Sequence, residues 1–240
     1  MHATLDGLGQ GTRKLKDGEA FRPSGRSGAP DEALARFLLS LRSRGLTEPL
    51  LFNAFERIPR AAFVQHVSAG LLYEPINLPI ACGEESEDPF SLARLLLLAK
   101  IAPGQRVLEI GTGSGFSAAL MAAIGAEVVT LERYAQLGMA ASRAFNALDL
   151  SKITILQADG LAKRVIGGPF DRLILGGALD LVPHSLFEGL VPGGIAIGGR
   201  MRANHCRLTH WRIDASGFPV ETDMGPARMN MLRQGLPIAL

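Results

Sequence analysis

The hydrophobic positions in the first part of the chain follow a helical period only after residue 30. Residues 1–30 are rich in Gly, Arg, Lys and Ser and show no period, which predicts a disordered tail. From Asp31 to Gly45, apolar side chains recur every three or four residues, and a second such run extends from Thr47 to Pro59. Residues 31–88 are therefore predicted to form a helical N-terminal extension that ends in a loop.

Beyond residue 88, short runs rich in Val, Ile and Leu alternate with helical patterns. Predicted strands lie at 106–110, 127–132, 153–157, 170–175 and 194–199. Predicted helices lie at 89–100, 115–124, 134–148 and near 183–190. Two later segments, 207–213 and 227–232, indicate an antiparallel pair that closes the sheet. Residues 89–240 are thus expected to form one α/β domain, with a doubly wound, mostly parallel seven-stranded sheet covered by helices on both faces.

Composition and charge narrow the possible partners. With 47% hydrophobic residues, 20% charged residues and a net charge of +2, the 240-residue chain can bury a core but lacks the basic field that nucleic acid requires. Its two cysteines, Cys82 and Cys206, are too few for a disulfide framework and favour a reducing compartment. The chain contains no apolar run of about 18 residues, so no membrane partner is expected. We expect a cytoplasmic monomer.

Glycines follow the first strand of the predicted sheet. In "VLEIGTGSGF", Gly111, Gly113 and Gly115 would let the backbone approach a ligand, with Thr112 between them and Glu109 inside the strand. A dinucleotide fingerprint would have another glycine where this chain has a phenylalanine. This loop lies where an open parallel sheet binds its ligand, at the carboxyl ends of the strands.

Two acidic residues end the next two strands. Glu132 is placed to accept hydrogen bonds from ribose hydroxyls, and Asp159 to meet the exocyclic amine of an adenine, with Gly160 allowing a close approach. Singly, either acid could be a solvated strand end. Together with the glycine loop they describe a nucleoside pocket, and we expect S-adenosylmethionine as the cofactor.

These motifs resemble a known family. The class I methyltransferase pattern is similar to "LEIGTGSGF", "VTLER", "QADG" and "LVPGG". Residues from about 31 to 199 resemble the protein-L-isoaspartate (D-aspartate) O-methyltransferases, on the strength of "RIPRAAFV", "YEPINLPI", "VLEIGTGSGFSAALMA", "LERYAQL" and "FDRLILGGA". The resemblance implies methyl transfer from S-adenosylmethionine to isoaspartyl carboxylates in damaged proteins. It implies that the three glycines hold the methionyl part, Glu132 the ribose and Asp159 the adenine.

The segment "GEESEDPF" departs from the family. The family pattern runs approximately Gly-x-Gly-Gln-Thr-Ile-Ser-Gln/Ala-Pro, so registering Gly83 and Pro89 on it puts Glu87 at the position of the active-site serine, with Ser86 one residue away. We take Glu87 and Ser86 as the candidate catalytic residues. Several ionised acids would repel a carboxylate acceptor, by about 1 kcal/mol each at 4 Å in water. An acidic wall would suit a hydroxyl, amine or cationic acceptor better.

Structural roles compete for the same acids. Asp88 before a proline is a favourable N-cap, and Glu84 and Glu85 could lie in a solvated loop. A metal site is not expected, because no histidine is nearby. The first hypothesis is an isoaspartyl methyltransferase. The alternatives are a methyltransferase with another acceptor and a protein that binds the cofactor without catalysis.

Overall fold

The N-terminal extension begins with two packed helices. The computed structural model describes residues 29–162 and 167–237, so the predicted tail at 1–30 falls almost wholly outside the described residues. Helix α1 is Ala29–Ser43 and helix α2 is Pro49–Arg57. Helix α2 begins two residues after the predicted Thr47. Pro49 is favourable at the first helical position, where a missing N–H costs no hydrogen bond, and Glu48 takes the cap position.

One large sheet forms the centre of the molecule. Within residues 29–162 and 167–237 its seven strands are β3 (Arg106–Ile110), β4 (Glu127–Glu132), β5 (Ile153–Gln157), β6 (Phe170–Leu179), β7 (Leu190–Arg202), β8 (His205–Ile213) and β9 (Pro219–Pro226). Their order is β5-β4-β3-β6-β7-β8-β9, in which the pairings β7–β8 and β8–β9 are antiparallel and the other four are parallel. A two-residue ladder joins β1 (Leu78–Pro79) to β2 (Glu85–Ser86). The predicted doubly wound, mostly parallel fold is confirmed.

The strand order reverses at β3, which places the ligand-binding end of the sheet. The chain runs from β3 outward through β4 to β5, then returns to the other side of β3 as β6. The carboxyl ends of β3 and β6 therefore diverge into connections on opposite faces and leave a crevice between them. The glycine loop follows β3 directly, so it lies at this crevice.

Helices α3 (Pro89–Ala99), α4 (Phe116–Ile124) and α5 (Ala135–Ala147) cover the sheet. Helix α3 buries Leu92, Leu95 and Leu96, as the sequence predicts. The N-terminal helices share this core, because the ring of Phe55 in α2 packs against that of Phe116 in α4 with the two ring centroids 6.0 Å apart. The division of the chain at residues 30 and 88 stays a prediction.

The predictions for the last third of the chain need correction. The last strand is Pro219–Pro226, not 227–232, because the carboxylate of Asp214 accepts hydrogen bonds from the amides of Ser216 and Phe218 and turns the chain back at once. Strands β6 and β7 are longer than predicted. The helix predicted near 183–190 is a single 3-10 turn at His184–Leu186. Strand β9 was not predicted because it carries polar residues where a hydrophobic run would be expected. One of them, Glu221, forms ion pairs with arginines of β7.

No helix within the described ranges, 29–162 and 167–237, combines the length and the apolar character needed to span a bilayer.

Candidate functional site

The glycine loop forms the floor of a cleft at the carboxyl end of the sheet. Gly111, Gly113 and Gly115 have φ angles of 93°, 54° and 89°, which non-glycine residues rarely adopt. The amide of Gly111 donates to the carbonyl of Leu131 at 2.9 Å and so ties the loop to β4. Gly115 has a packing role instead, because a Cβ there would lie 2.9 Å from the side chains of Ala141 and Phe145 in α5.

Glu132 holds the glycine loop against the end of β4. One carboxylate oxygen accepts from the amide of Gly113 and the other from the amide of Tyr134, each at 2.9 Å. Burial raises the pKa of Glu132, while these two amide hydrogen bonds oppose the rise. Glu132 also lines the cleft, and a carboxylate that accepts two hydrogen bonds keeps further acceptor sites.

Asp159 and Gly160 form the far wall of the cleft. Gly160 packs so closely on β3 that a Cβ would lie 2.5 Å from Cγ2 of Ile110. Asp159 accepts hydrogen bonds from the amides of Leu161 at 2.9 Å and Gly235 at 2.7 Å. In this structure Asp159 therefore also holds the segment around Gly235 in place.

Sequence analysis missed the role of the closing segment, residues 227–237, which contributes to the lining of the cleft. It is held by two hydrogen bonds to Ala178 in β6, one to the carbonyl of Asn230 at 2.7 Å and one from the amide of Leu232 at 2.9 Å. Residues 230–233 line the cleft, and a Cβ at Gly111 would lie 3.1 Å from Cδ2 of Leu232. The apolar pattern at 227–232 was a real signal, but it marks part of the wall of the cleft and not a strand.

A deeper pocket continues the cleft beneath the glycine loop. It shares Glu85, Gly111, Gly113 and Gly176 with the outer cleft, so the two form one elongated space. Glu109 lies at its base and is 1% exposed. The carboxylate of Glu109 accepts from the hydroxyl of Thr130 at 2.6 Å, and this hydroxyl lies 2.7 Å from that of Thr112. Burial raises the pKa of Glu109 to about 7, and the Thr130 hydrogen bond opposes this rise.

The acidic loop, residues 83–88, closes the other side of the deeper pocket. Asp88 caps helix α3, because its carboxylate accepts from the amides of Phe90 and Ser91, both at 2.9 Å. This confirms the cap that the sequence predicts. Glu85 is exposed and accepts from the side-chain amide of Asn77 at 3.0 Å, whereas Glu84 is half-buried. The acids of this loop thus have different environments.

Ser86 and Glu87 point into the interior. Ser86 is buried, and its hydroxyl lies 3.4 Å from that of Ser114 in the glycine loop. Part of Glu87 remains exposed, but its Oε1 atom is enclosed. Burial raises the pKa of Glu87 to about 8, Asp88 and Glu109 add to the rise, and Arg60 opposes it.

Arg60 is the main residue of this region that sequence analysis missed. It is fully buried, and its guanidinium donates to the carbonyl of Leu72 at 2.7 Å, the carbonyl of Glu87 at 2.6 Å and the hydroxyl of Ser86 at 3.4 Å. Burial lowers the pKa of Arg60 to about 10, so it remains a cation at neutral pH. Its place in "RIPRAAFV" was the available signal, because an arginine among buried apolar residues needs interior acceptors.

The structure brings most of the predicted site residues to one cleft. Glu132, Asp159 and Gly160 line its outer part; Ser86, Glu87, Glu109 and Thr112 line its deeper part; and Gly111 and Gly113 lie between them. Gly115 lies outside this lining and packs on α5. Their roles toward a ligand stay predictions. Across the described residues, no group of three or more His, Cys, Asp or Glu side chains is arranged to hold a metal ion.

Comparison with known proteins supports the family resemblance. Residues 33–206 match the family model described as protein-L-isoaspartate(D-aspartate) O-methyltransferase. The protein-L-isoaspartate O-methyltransferase of Dinoroseobacter shibae is 37% identical over 207 residues, which cover 85% of this chain and 95% of that protein. The corresponding protein of Ruegeria pomeroyi is 37% identical over 211 residues, which cover 88% of this chain and 98% of that protein.

Solved structures show the same fold. A Plasmodium falciparum protein described as a protein-L-isoaspartate O-methyltransferase, crystallised with S-adenosyl-L-homocysteine, matches with a TM-score of 0.72 at 19% identity and covers 83% of this chain and 98% of that chain. A second protein-L-isoaspartate O-methyltransferase structure matches with a TM-score of 0.76 at 23% identity over 85% of this chain and 67% of that chain.

Proposed function

The chain belongs to the protein-L-isoaspartate(D-aspartate) O-methyltransferase family, and we propose that it transfers the methyl group of S-adenosylmethionine to the carboxylate of isoaspartyl residues in proteins or peptides. The observation that carries this proposal is the elongated cleft. Its outer part has the glycine loop, Glu132 and Asp159 that an adenosyl group needs, and its deeper part reaches the acidic loop where the family's acceptor site lies. We also propose that the protein acts in protein repair, as a cytoplasmic monomer.

The residues of the cleft fit the cofactor. A Cβ at position 176 would lie 2.5 Å from the carbonyl oxygen of Gly111, so this part of the floor must be bare backbone. Gly111, Thr112 and Gly113 would hold the methionyl part and Glu132 the ribose. Asp159 already accepts two backbone amides, but a carboxylate has about four acceptor sites and could also receive an adenine amine.

The chain's part in the reaction is mainly positioning. When bound, S-adenosylmethionine supplies an electrophilic methyl group that passes from the sulfonium sulfur to a carboxylate oxygen, leaving a methyl ester and a neutral thioether. An isoaspartyl carboxylate is ionised at neutral pH, so no side chain has to remove a proton from it. Ser86 and Ser114 offer hydroxyls beside the glycine loop, and Arg60 fixes the loop that carries Ser86.

The acidic loop does not forbid a carboxylate acceptor. Glu85 is exposed, and an exposed charge repels another at 4 Å by only about 1 kcal/mol. Asp88 is committed to capping α3. Whether a carboxylate acceptor is repelled therefore depends on Glu87, whose carboxyl group is enclosed in the deeper pocket.

Methyl transfer can be tested with matched glycine variants. Radiolabelled S-adenosylmethionine and the chain are incubated with an isoaspartyl peptide and with its normal aspartyl twin, and we expect label only in the first. Gly160→Ala should abolish cofactor binding and transfer, because of the 2.5 Å contact with Ile110, whereas Gly70→Ala is a control at an exposed glycine where a Cβ meets nothing within 4 Å.

Two results would contradict the proposal. Equal labelling of both peptides would show that the chain does not select isoaspartate. Cofactor binding without transfer to either peptide would favour another acceptor or a protein that binds the cofactor without catalysis.

A further inference from the structure

Two carboxyl groups from distant parts of the chain line the deeper pocket. Glu87 comes from the acidic loop and Glu109 from the interior of β3, and both face the space beneath the glycine loop. Ser86, Ser114 and Ser117 line the same space. The pocket joins the cofactor cleft at Gly113, so an acceptor that reaches the cofactor must come next to it.

Three polar atoms in this pocket are enclosed: Glu87 Oε1, Glu109 Oε1 and Ser117 Oγ. The hydroxyl of Ser117 lies close enough to Glu109 to oppose the rise of its pKa, so Glu87 Oε1 is the carboxyl oxygen that is left without a donor among residues 29–162 and 167–237. An enclosed carboxylate oxygen without a donor is costly, because it loses its hydration and gains nothing in exchange. The pocket therefore favours neutral carboxyl groups.

The nearby cations do not neutralise Glu87 directly. Arg60 donates to the backbone carbonyl of Glu87, not to its carboxylate. Arg94 in α3 faces Glu87 across a small neighbouring pocket, but its guanidinium donates to the carbonyls of Met224 and Pro226. Neither arginine forms a salt bridge with Glu87 in the part of the chain that the structure describes.

The remaining titratable groups that face Glu87 are acidic. Asp88 is its neighbour in the acidic loop, Glu109 faces it from β3, and the thiol of Cys206 lies on the side of β8. Two carboxylates in one enclosed pocket cannot both ionise cheaply, so the charge of one group disfavours the ionisation of the other and the two titrate as a coupled pair. When one of the two carboxyl groups is protonated, the charge repulsion between them is absent.

We propose that Glu87 and Glu109 form a coupled carboxyl pair in which Glu87 stays protonated at neutral pH, and that protonated Glu87 donates the hydrogen bond that orients the acceptor carboxylate in this protein. This inference rests on the proposed function, since it assumes a carboxylate acceptor. The hydrogen bond takes one acceptor oxygen and leaves the other free to attack the methyl group. Protonated Glu87 thereby supplies a hydroxyl donor at the position where the family pattern has a serine. Glu87 repels the acceptor carboxylate only when it is ionised.

The expected signature is activity that falls as the pH rises. Burial, Asp88 and Glu109 raise the pKa of Glu87 to about 8 against the opposing effect of Arg60, so the donor is present at pH 7 and mostly lost at pH 9. The isoaspartyl carboxylate is ionised throughout this range. We therefore expect kcat/KM for an isoaspartyl peptide to fall about tenfold between pH 7 and pH 9.

Substitutions at Glu87 separate the proton from the side chain. Glu87→Gln keeps a donor of similar shape that cannot ionise, and Glu87→Ser restores a hydroxyl. Both should remain active and show no fall between pH 7 and pH 9. Glu127→Gln, at an exposed glutamate on the opposite end of the sheet, serves as a control and should keep the wild-type profile. Cofactor affinity is measured at both pH values so that a loss of binding is not taken for a loss of acceptor orientation.

Infrared spectroscopy tests whether Glu87 is protonated, without any assay of activity. The carbonyl band of a protonated carboxyl group should disappear between pH 6 and pH 9 in the wild-type protein, and part of this loss should be missing in Glu87→Gln. Absence of that difference shows that Glu87 is not protonated and overturns the carboxyl pair, and an identical fall of activity in wild type and Glu87→Gln overturns the donor role. A wild-type protein that binds the cofactor but methylates no isoaspartyl peptide at any pH overturns the proposed function instead, and the donor role with it. The infrared result then decides the carboxyl pair alone.

Discussion

Replacing Glu87 with glutamine should change how the stability of the fold depends on pH. The pKa of Glu87 is raised from its ordinary value of 4.5 to about 8, mainly by burial. Above pH 4.5 the unfolded chain releases this proton while the native protein keeps it. The favourable contribution is therefore complete below about pH 4.5 and is lost progressively as the pH rises toward 8.

The size of the effect follows from proton linkage. One retained proton changes the free energy of unfolding by about 1.4 kcal/mol per pH unit within this window. Between pH 5.5 and pH 7.5 the wild-type protein should lose about 2.5 kcal/mol through Glu87 alone. Glutamine at position 87 binds no proton in either state and removes this slope. Glu109, whose pKa is also raised, titrates in both proteins, but without the repulsion from Glu87 its pKa should be lower in the variant, which reduces the slope further.

Urea unfolding followed by circular dichroism at pH 5.5, 6.5 and 7.5 measures the difference directly. The Glu87→Gln variant should gain stability relative to the wild type as the pH rises, whereas the exposed Glu127→Gln control should run parallel to it. If the midpoints of wild type and Glu87→Gln differ by the same amount at all three pH values, the carboxyl group of Glu87 is not held neutral and the reasoning fails.

Three further predictions concern residues that support the cleft. Asp88→Ala should cost about 1 kcal/mol of stability in urea unfolding, because the amides of Phe90 and Ser91 lose their cap, and Asp88→Ser should restore most of it. Arg60→Lys keeps the charge but cannot reach three acceptors, so kcat/KM should fall while cofactor affinity, measured by calorimetry, changes little; a proportionate loss of cofactor binding would contradict this. Asp159→Asn should weaken the hold on Gly235 by about 1 kcal/mol and speed proteolysis of the closing segment; an unchanged cleavage rate would argue against that contact.

The sequence alone determined those features that depend on neighbouring residues. Strands at 106–110, 127–132 and 153–157 occur as predicted, because runs of Val, Ile and Leu between helical patterns are typical of a buried parallel sheet. The cap at Asp88 was equally readable, since an N-cap and a following proline act within one helical turn. The glycine spacing likewise located the loop that follows β3.

Only the tertiary structure decided what the acids of the acidic loop do. The family pattern singled out Glu87, but nothing in "GEESEDPF" itself shows that Glu85 is exposed and that the carboxyl group of Glu87 is enclosed. That difference arises because the loop is tied down by Arg60 and because β3 brings Glu109 to the same pocket. The burial and the protonation of these acids depend on which distant side chains lie next to them. The order of residues along the chain does not show those distances.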